Sequence, residues 1–115
     1  MFQTHQMSLS AVPFNKITLG TKVIESRLFD AKRQQIVVGD QIIFKKSEDT
    51  SERVVTKVTA IYKHPTFKDL FEKHPPELFG GTNKADLLEK IRTYYSIDQE
   101  KKCGVVGISI KKKRN

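Results

Sequence analysis

Gly20-Thr21-Lys22-Val23-Ile24-Glu25-Ser26-Arg27-Leu28 is the stretch whose reading decides the fold. A glycine turn leads into Val23, Ile24 and Leu28, the β-branched and apolar residues that a strand uses. Lys22, Glu25 and Arg27 fall inside the same run. Three charges in an otherwise apolar strand are costly unless they face solvent, pair with one another or line a cleft. Side chains alternate along a strand, so Glu25 and Arg27 share a face and Lys22 has the opposite parity. For the three to meet, the turn at Gly20-Thr21 or a bulge has to re-aim Lys22.

Upstream, Met7-Ser8-Leu9 alternates as a short first strand. Pro13 suits the first turn of a short helix with Phe14 and Ile17 on one face, and Gly20 stands where its C-cap belongs. Downstream, Asp30 to Gln35 is polar and turn-like. Val38-Gly39-Asp40 makes a tight turn into Gln41-Ile42-Ile43-Phe44, with Gly39 supplying a positive φ. Arg53 to Tyr62 is a long β-rich run, and these two strands read as a hairpin. Thr66 with Asp69 marks a helix start, and Pro75-Pro76 stops that helix. Thr82 or Asn83 caps a second helix with Leu87, Leu88, Ile91 and Tyr94 or Tyr95 on one stripe. Ser96-Ile97-Asp98-Gln99 is a third capping pattern, and Gly104 to Ile110 is a last strand. This order lacks strict β-α alternation, so short strands closing into a small barrel with flanking helices is the economical reading: an α+β, mixed β-barrel.

The chain has 115 residues and reads as one domain over residues 1–110 with a basic tail at 111–115. No apolar run reaches the about 18 residues of a membrane span, so no membrane partner is expected. No secretory pattern opens the chain and Cys103 stands alone, so no intrachain disulfide forms and a cytoplasmic protein is expected. The net charge of +8 favours polyanionic partners, nucleic acid above all. Lys111, Lys112, Lys113 and Arg114 supply four of those charges in one run, which reads as a solvated tail and leaves +4 without it.

Lys22 has three readings: a phosphate ligand, a structural partner of Glu25, or a base, the last requiring that its amine be freed near neutral pH. Glu25 and Arg27 form either a barrel-mouth ion pair or a cleft in which the carboxylate accepts from a base amino group and the guanidinium grips phosphate. Aromatics at helical spacing are core more often than base platforms. Tyr95 is singled out because a phenol both stacks and hydrogen-bonds. His5, His64 and His74 have no metal-ligand spacing, and neither a metal nor another cofactor is expected.

Four places resemble the ASCH domain family, a PUA-like group, over about Met7 to Ile110. They are Pro13-Phe14 with Ile17; Gly20, Lys22, Glu25 and Arg27 as G-x-K-x-x-E-x-R; Val38-Gly39-Asp40 with Ile42 and Phe44; and Tyr94-Tyr95-Ser96 with Glu100 and Gly104 to Ile108. The resemblance implies a PUA-like barrel of five or six strands with a cleft between the first helix and the signature strand. It implies RNA or nucleotide binding by Lys22, Glu25, Arg27 and the segment from Tyr95 to Glu100. One branch hydrolyses N4-acetylcytidine with a lysine, a threonine and a glutamate. These fall on Lys22, on the position that Glu25 occupies here in place of threonine, and loosely on Glu77. The alternative is therefore a small hydrolase of a modified nucleoside or of RNA, with Lys22, Glu25 and Glu77 catalytic. A module that binds other proteins through its basic tail is a third class. Nothing in the sequence speaks to oligomeric state.

Overall fold

The computed structural model describes residues 2–113. The order is β1 (Thr4–Leu9), α1 (Ala11–Leu19), β2 (Ile24–Leu28), β3 (Gln41–Lys46), β4 (Arg53–His64), α2 (Phe67–Glu72), α3 (Lys84–Arg92), α4 (Ile97–Cys103) and β5 (Val105–Lys112). Short 3-10 turns lie at Arg33–Gln35 and Pro76–Phe79. The strands form one curled α+β half-barrel sheet in the order β1-β3-β4-β5-β2. β1 runs parallel to β3, and the other pairings are antiparallel. β1 and β2 are therefore the two free edges, and the barrel is open between them.

Alternation along the strands makes two cores. Met7, Leu9, Ile42, Phe44, Val54, Val58, Val106, Ile108 and Ile110 point to the face covered by Phe14 and Ile17 of α1. A bulge between Val58 and Ala60 inserts one residue into β4, which returns Ile61 to that same face. On the opposite face Ile24, Leu28 and Val105 pack under Phe67, Leu70 and Phe71 of α2 and Leu87 of α3. That second cover reaches only the β2-β5 side. The outer face of β1, β3 and the first half of β4 has no helix over it.

Local chemistry sets the element ends. Gly20 closes α1 in the left-handed region at φ 81°. The side chains of Thr66, Asn83 and Ser96 accept from the N3 amides of their helices, and Ser96 with Gln99 forms a full capping box. Asp40 is a buried carboxylate in the turn before β3. It accepts from the Gln3 N–H at 3.0 Å and the Val37 N–H at 3.1 Å, and pairs with His5 Nε2 at 2.8 Å. Burial alone would raise its pKa, and these partners hold it below the usual range.

Two boundaries differ from the sequence reading. β2 begins at Ile24, because the amides of Thr21 and Lys22 both turn back to the Lys16 carbonyl, at 2.9 and 3.1 Å. Lys22 is therefore in the helix-to-strand turn and is not bound by strand parity. β5 runs past Ile110 to Lys112, because the start of β4 offers it a partner: Lys57 lies opposite Lys111 and Thr56 opposite Lys112. Lys111 and Lys112 are thus strand residues, whereas Arg114 and Asn115 of the expected tail lie outside the described residues. Among the described residues no helix is long and apolar enough to cross a membrane.

Gly107, at the centre of β5, tests the packing of α2 on the sheet. A Cβ there would stand 2.8 Å from Leu70 Cδ1 and 3.3 Å from Ile24 Cγ2, with both neighbours fixed in the core. Gly107→Ala is expected to cost about 1–3 kcal/mol by overpacking, read as a lower urea midpoint at unchanged slope.

Candidate nucleotide-binding cavity

The opening between the edge strands forms a cavity of about 570 Å³. Its floor is the charged cluster of the signature segment. Lys22 Nζ lies 2.8 Å from Glu25 Oε1, and Arg27 Nε donates to Glu25 Oε2 at 2.7 Å. The Glu25 side chain is 4% exposed, so both cations reach it from within the protein. Arg27 extends across the gap and donates from a terminal nitrogen to the Ser8 carbonyl on β1, at 3.0 Å. Lys32 does the same for the Gln6 carbonyl at 2.7 Å. Edge carbonyls that a closed barrel would pair with another strand are satisfied here by side-chain cations.

Burial by itself would raise the Glu25 pKa. The charges of Lys22 and Arg27, with their hydrogen bonds, outweigh it and bring the group from 4.5 to about 2. Burial would lower Arg27, and Glu25 together with the Tyr95 hydroxyl holds it above its ordinary value. Glu25 is therefore a carboxylate at neutral pH, held between the Lys22 and Arg27 side chains.

The walls come from three other elements. Val12, Pro13 and Lys16 form a stripe of α1 beside its core face, and Lys16 Nζ donates to the Gly80 carbonyl at 2.6 Å. Gly80, at φ 81°, packs against the stems of Lys16 and Lys22, each 3.2 Å from where a Cβ would stand. Leu87, Lys90, Ile91 and Tyr94 recur at helical spacing and turn one face of α3 and the turn after it to the cavity. Lys16, Lys22, Arg27 and Lys90 thus face a space in which Glu25 is the one lining carboxylate.

The structure brings Lys22, Glu25, Arg27 and Tyr95 together around the cavity, as expected from the sequence. The Tyr95 ring stacks on Phe67, with centroids 5.7 Å apart and planes at 15°, and its hydroxyl faces Arg27. Tyr94 also lines the cavity and is 66% exposed. Glu77 is exposed on the Pro76–Phe79 turn and does not line the cavity. Glu100 turns inward instead, accepting from the Phe67 N–H at 2.6 Å and from Arg92, so it braces α2 against α4. Sequence reading missed Lys16 and Lys90, and named Tyr94 without giving it a place in the site. The i, i+4 spacing of Val12 with Lys16 and of Lys90 with Tyr94 was the available trace.

The profile of the ASCH domain family matches residues 7–114. The chain belongs to this family. Among solved structures, that of the hypothetical protein PH0355 is 34% identical with a TM-score of 0.85, over 96% of this chain and 99% of that one. Protein PF0455 from Pyrococcus furiosus is 30% identical with a TM-score of 0.76, over 99% and 100%. The ASCH domain from Lactobacillus crispatus, at 15% identity and a TM-score of 0.67 over 96% and 79%, shares the fold. No curated protein matches the chain. The ASCH domain family is associated with RNA binding.

In this ASCH domain the triad links site geometry to stability. The folded pKa of Glu25 lies below its unfolded value, so the unfolded chain binds the proton more tightly. The stabilisation is fully present above pH 4.5 and drains away as pH falls toward about 2. Asp40 is shifted in the same direction and adds to the same acid limb. Glu25→Gln is expected to lose on the order of 3 kcal/mol near neutral pH and to fall less steeply than the parent at acid pH. Urea titrations across that range check this, and a stability difference independent of pH would contradict it.

Proposed function

We propose that this protein binds RNA, or a nucleotide, in the cavity between β1 and β2. The observation that carries this reading is the charge of a cavity sized for one nucleotide. Lys16, Lys22 and Arg27 face it, with Lys90, which pairs with Asp86, and the one lining carboxylate, Glu25, has both oxygens held. Arg27 donates to Glu25 and Ser8 and also meets the Tyr95 hydroxyl, so two of its five guanidinium N–H groups remain for a phosphate. Lys22 keeps two of its three ammonium donors beyond Glu25. Glu25 acts here by holding the two cations in position, and Tyr94 offers an exposed ring beside them for a base.

Binding of a labelled single-stranded RNA is expected to weaken as salt rises. Arg27→Ala is expected to lower affinity by about tenfold or more, by removing a charge-assisted phosphate contact and releasing the β1 edge. Fluorescence anisotropy from low to moderate salt reads both. An affinity flat with salt, or unchanged in Arg27→Ala at intact fold, would overturn the proposal.

The hydrolase alternative is disfavoured by three features. Glu25 stands where the N4-acetylcytidine branch has threonine, both its oxygens are engaged by cations, and Glu77 lies outside the cavity. Lys22 Nζ turns to Glu25 Oε1 at 2.8 Å, and no hydroxyl nucleophile stands at that position for it to activate. Purified protein is expected to release no cytidine from N4-acetylcytidine. Robust turnover abolished by Lys22→Ala would assign the chain to the hydrolytic branch.

A further inference from the structure

The register of the sheet sorts the basic residues that sequence leaves as scattered or as a tail. On the outer face, away from α1, Gln41, Lys57 and Lys111 form one row across β3, β4 and β5. Ile43 and Val55 form the next, joined by Lys113, whose N–H bonds the Val55 carbonyl at 2.9 Å. Lys45 and Arg53 form the third. β1 continues the rows with Thr4, Gln6 and Ser8. Five cations therefore lie on one face, with no carboxylate at any of these positions. Among the described residues none of the five is in an ion pair, whereas Lys46, which alternation turns to the other face, pairs with Glu52. Lys112 also turns the other way and donates to the Thr18 carbonyl at the end of α1. The run Lys111-Lys112-Lys113 is thus divided: one cation caps a helix and two join the face.

This face meets the cavity. Ser8, whose carbonyl takes Arg27, lies beside Lys45 in the register, and Lys45 lies beside Arg53. At the far end a depression of about 210 Å³ is lined by Thr4, Gln41, Lys57 and Lys113, with Phe2 at its edge. Cations two residues apart on a strand stand about 7 Å apart and those on adjacent strands about 5 Å apart. That suits a flexible chain of phosphates and matches no single small anion. The rows carry no aromatic ring, and Ile43 and Val55 give them a flat apolar centre.

We infer that the outer face of β1, β3, β4 and β5 is a second contact surface, which carries the phosphate backbone of a single-stranded RNA leading to or from the cavity. The inference rests on the reading that the ligand is RNA. It adds that contacts on the sheet are to backbone, independent of sequence, and separable from the cavity. A strand long enough to leave the cavity uses both surfaces, and a trinucleotide uses the cavity alone.

The test compares a labelled twelve-nucleotide RNA with a trinucleotide on the full chain. Replacing Lys57, Lys111 and Lys113 together with alanine is expected to weaken the longer RNA about tenfold or more at low salt, for every sequence tried. It should flatten the slope of log affinity against log salt by about 2 and leave trinucleotide affinity unchanged. Arginine at the same three positions is expected to retain binding, which separates charge from folding. Unchanged affinity for the longer RNA in the alanine variant would overturn the inference and leave the cavity reading standing. Equal losses for both RNAs would also overturn it. Loss in the sheet variant with indifference to Arg27→Ala would overturn the cavity reading and, with it, the inference that the sheet carries RNA to or from the cavity. Binding of the parent to phosphatidylserine vesicles as tightly as to RNA, lost in the same alanine variant, would replace RNA with a membrane surface as the occupant. Failure of the parent to bind either RNA would overturn both.

Discussion

The carboxylate of Glu25 is the constraint around which this molecule is arranged. It is buried in a strand at the free edge of an open sheet, and a charge there is tolerated only when it is paired. Arg27 reaches it from the same face of β2 and then crosses to the Ser8 carbonyl of β1. Lys22 reaches it from the turn before the strand. One triad therefore holds the strand, the turn and the facing edge. The half-barrel is closed by side chains where backbone pairing stops.

The cavity follows from that closure. A fully paired barrel would leave no gap between its first and second strands, and an apolar gap would collapse. Here the gap is bridged by cations with donors to spare. The left-handed Gly20 and Gly80 bring the two flanking turns close enough for Lys16 and Lys22 to pack side by side. Like charges gathered this tightly repel one another, and Glu25 offsets only part of the repulsion.

Local chemistry was legible wherever neighbours in sequence are also partners in space. The caps at Gly20, Thr66, Asn83 and Ser96 were readable, as was the hairpin of β3 and β4, because each depends on a few adjacent residues. The resemblance carried by Gly20, Lys22, Glu25 and Arg27 led to the right family. The sequence was silent where the partner lies far along the chain. Nothing near Tyr95 announces that its ring will stack on Phe67. Nothing near Glu100 shows that its oxygens are used by Phe67 and Arg92. Lys111 and Lys112 resembled a tail because the strand that pairs with them begins over fifty residues earlier.

By itself the sequence determined the class of fold, the ends of most elements, the excess of positive charge and the cluster of Lys22, Glu25 and Arg27. These follow from short-range periodicity, capping and composition, which need no knowledge of what lies across the sheet. The tertiary structure alone decided which cations share a surface. Sheet order brings β1 and β2 to opposite edges of one gap, and register assigns each lysine to one face or the other. A register shift of a single residue would exchange those faces, so the division of Lys111, Lys112 and Lys113 is settled by long-range strand pairing.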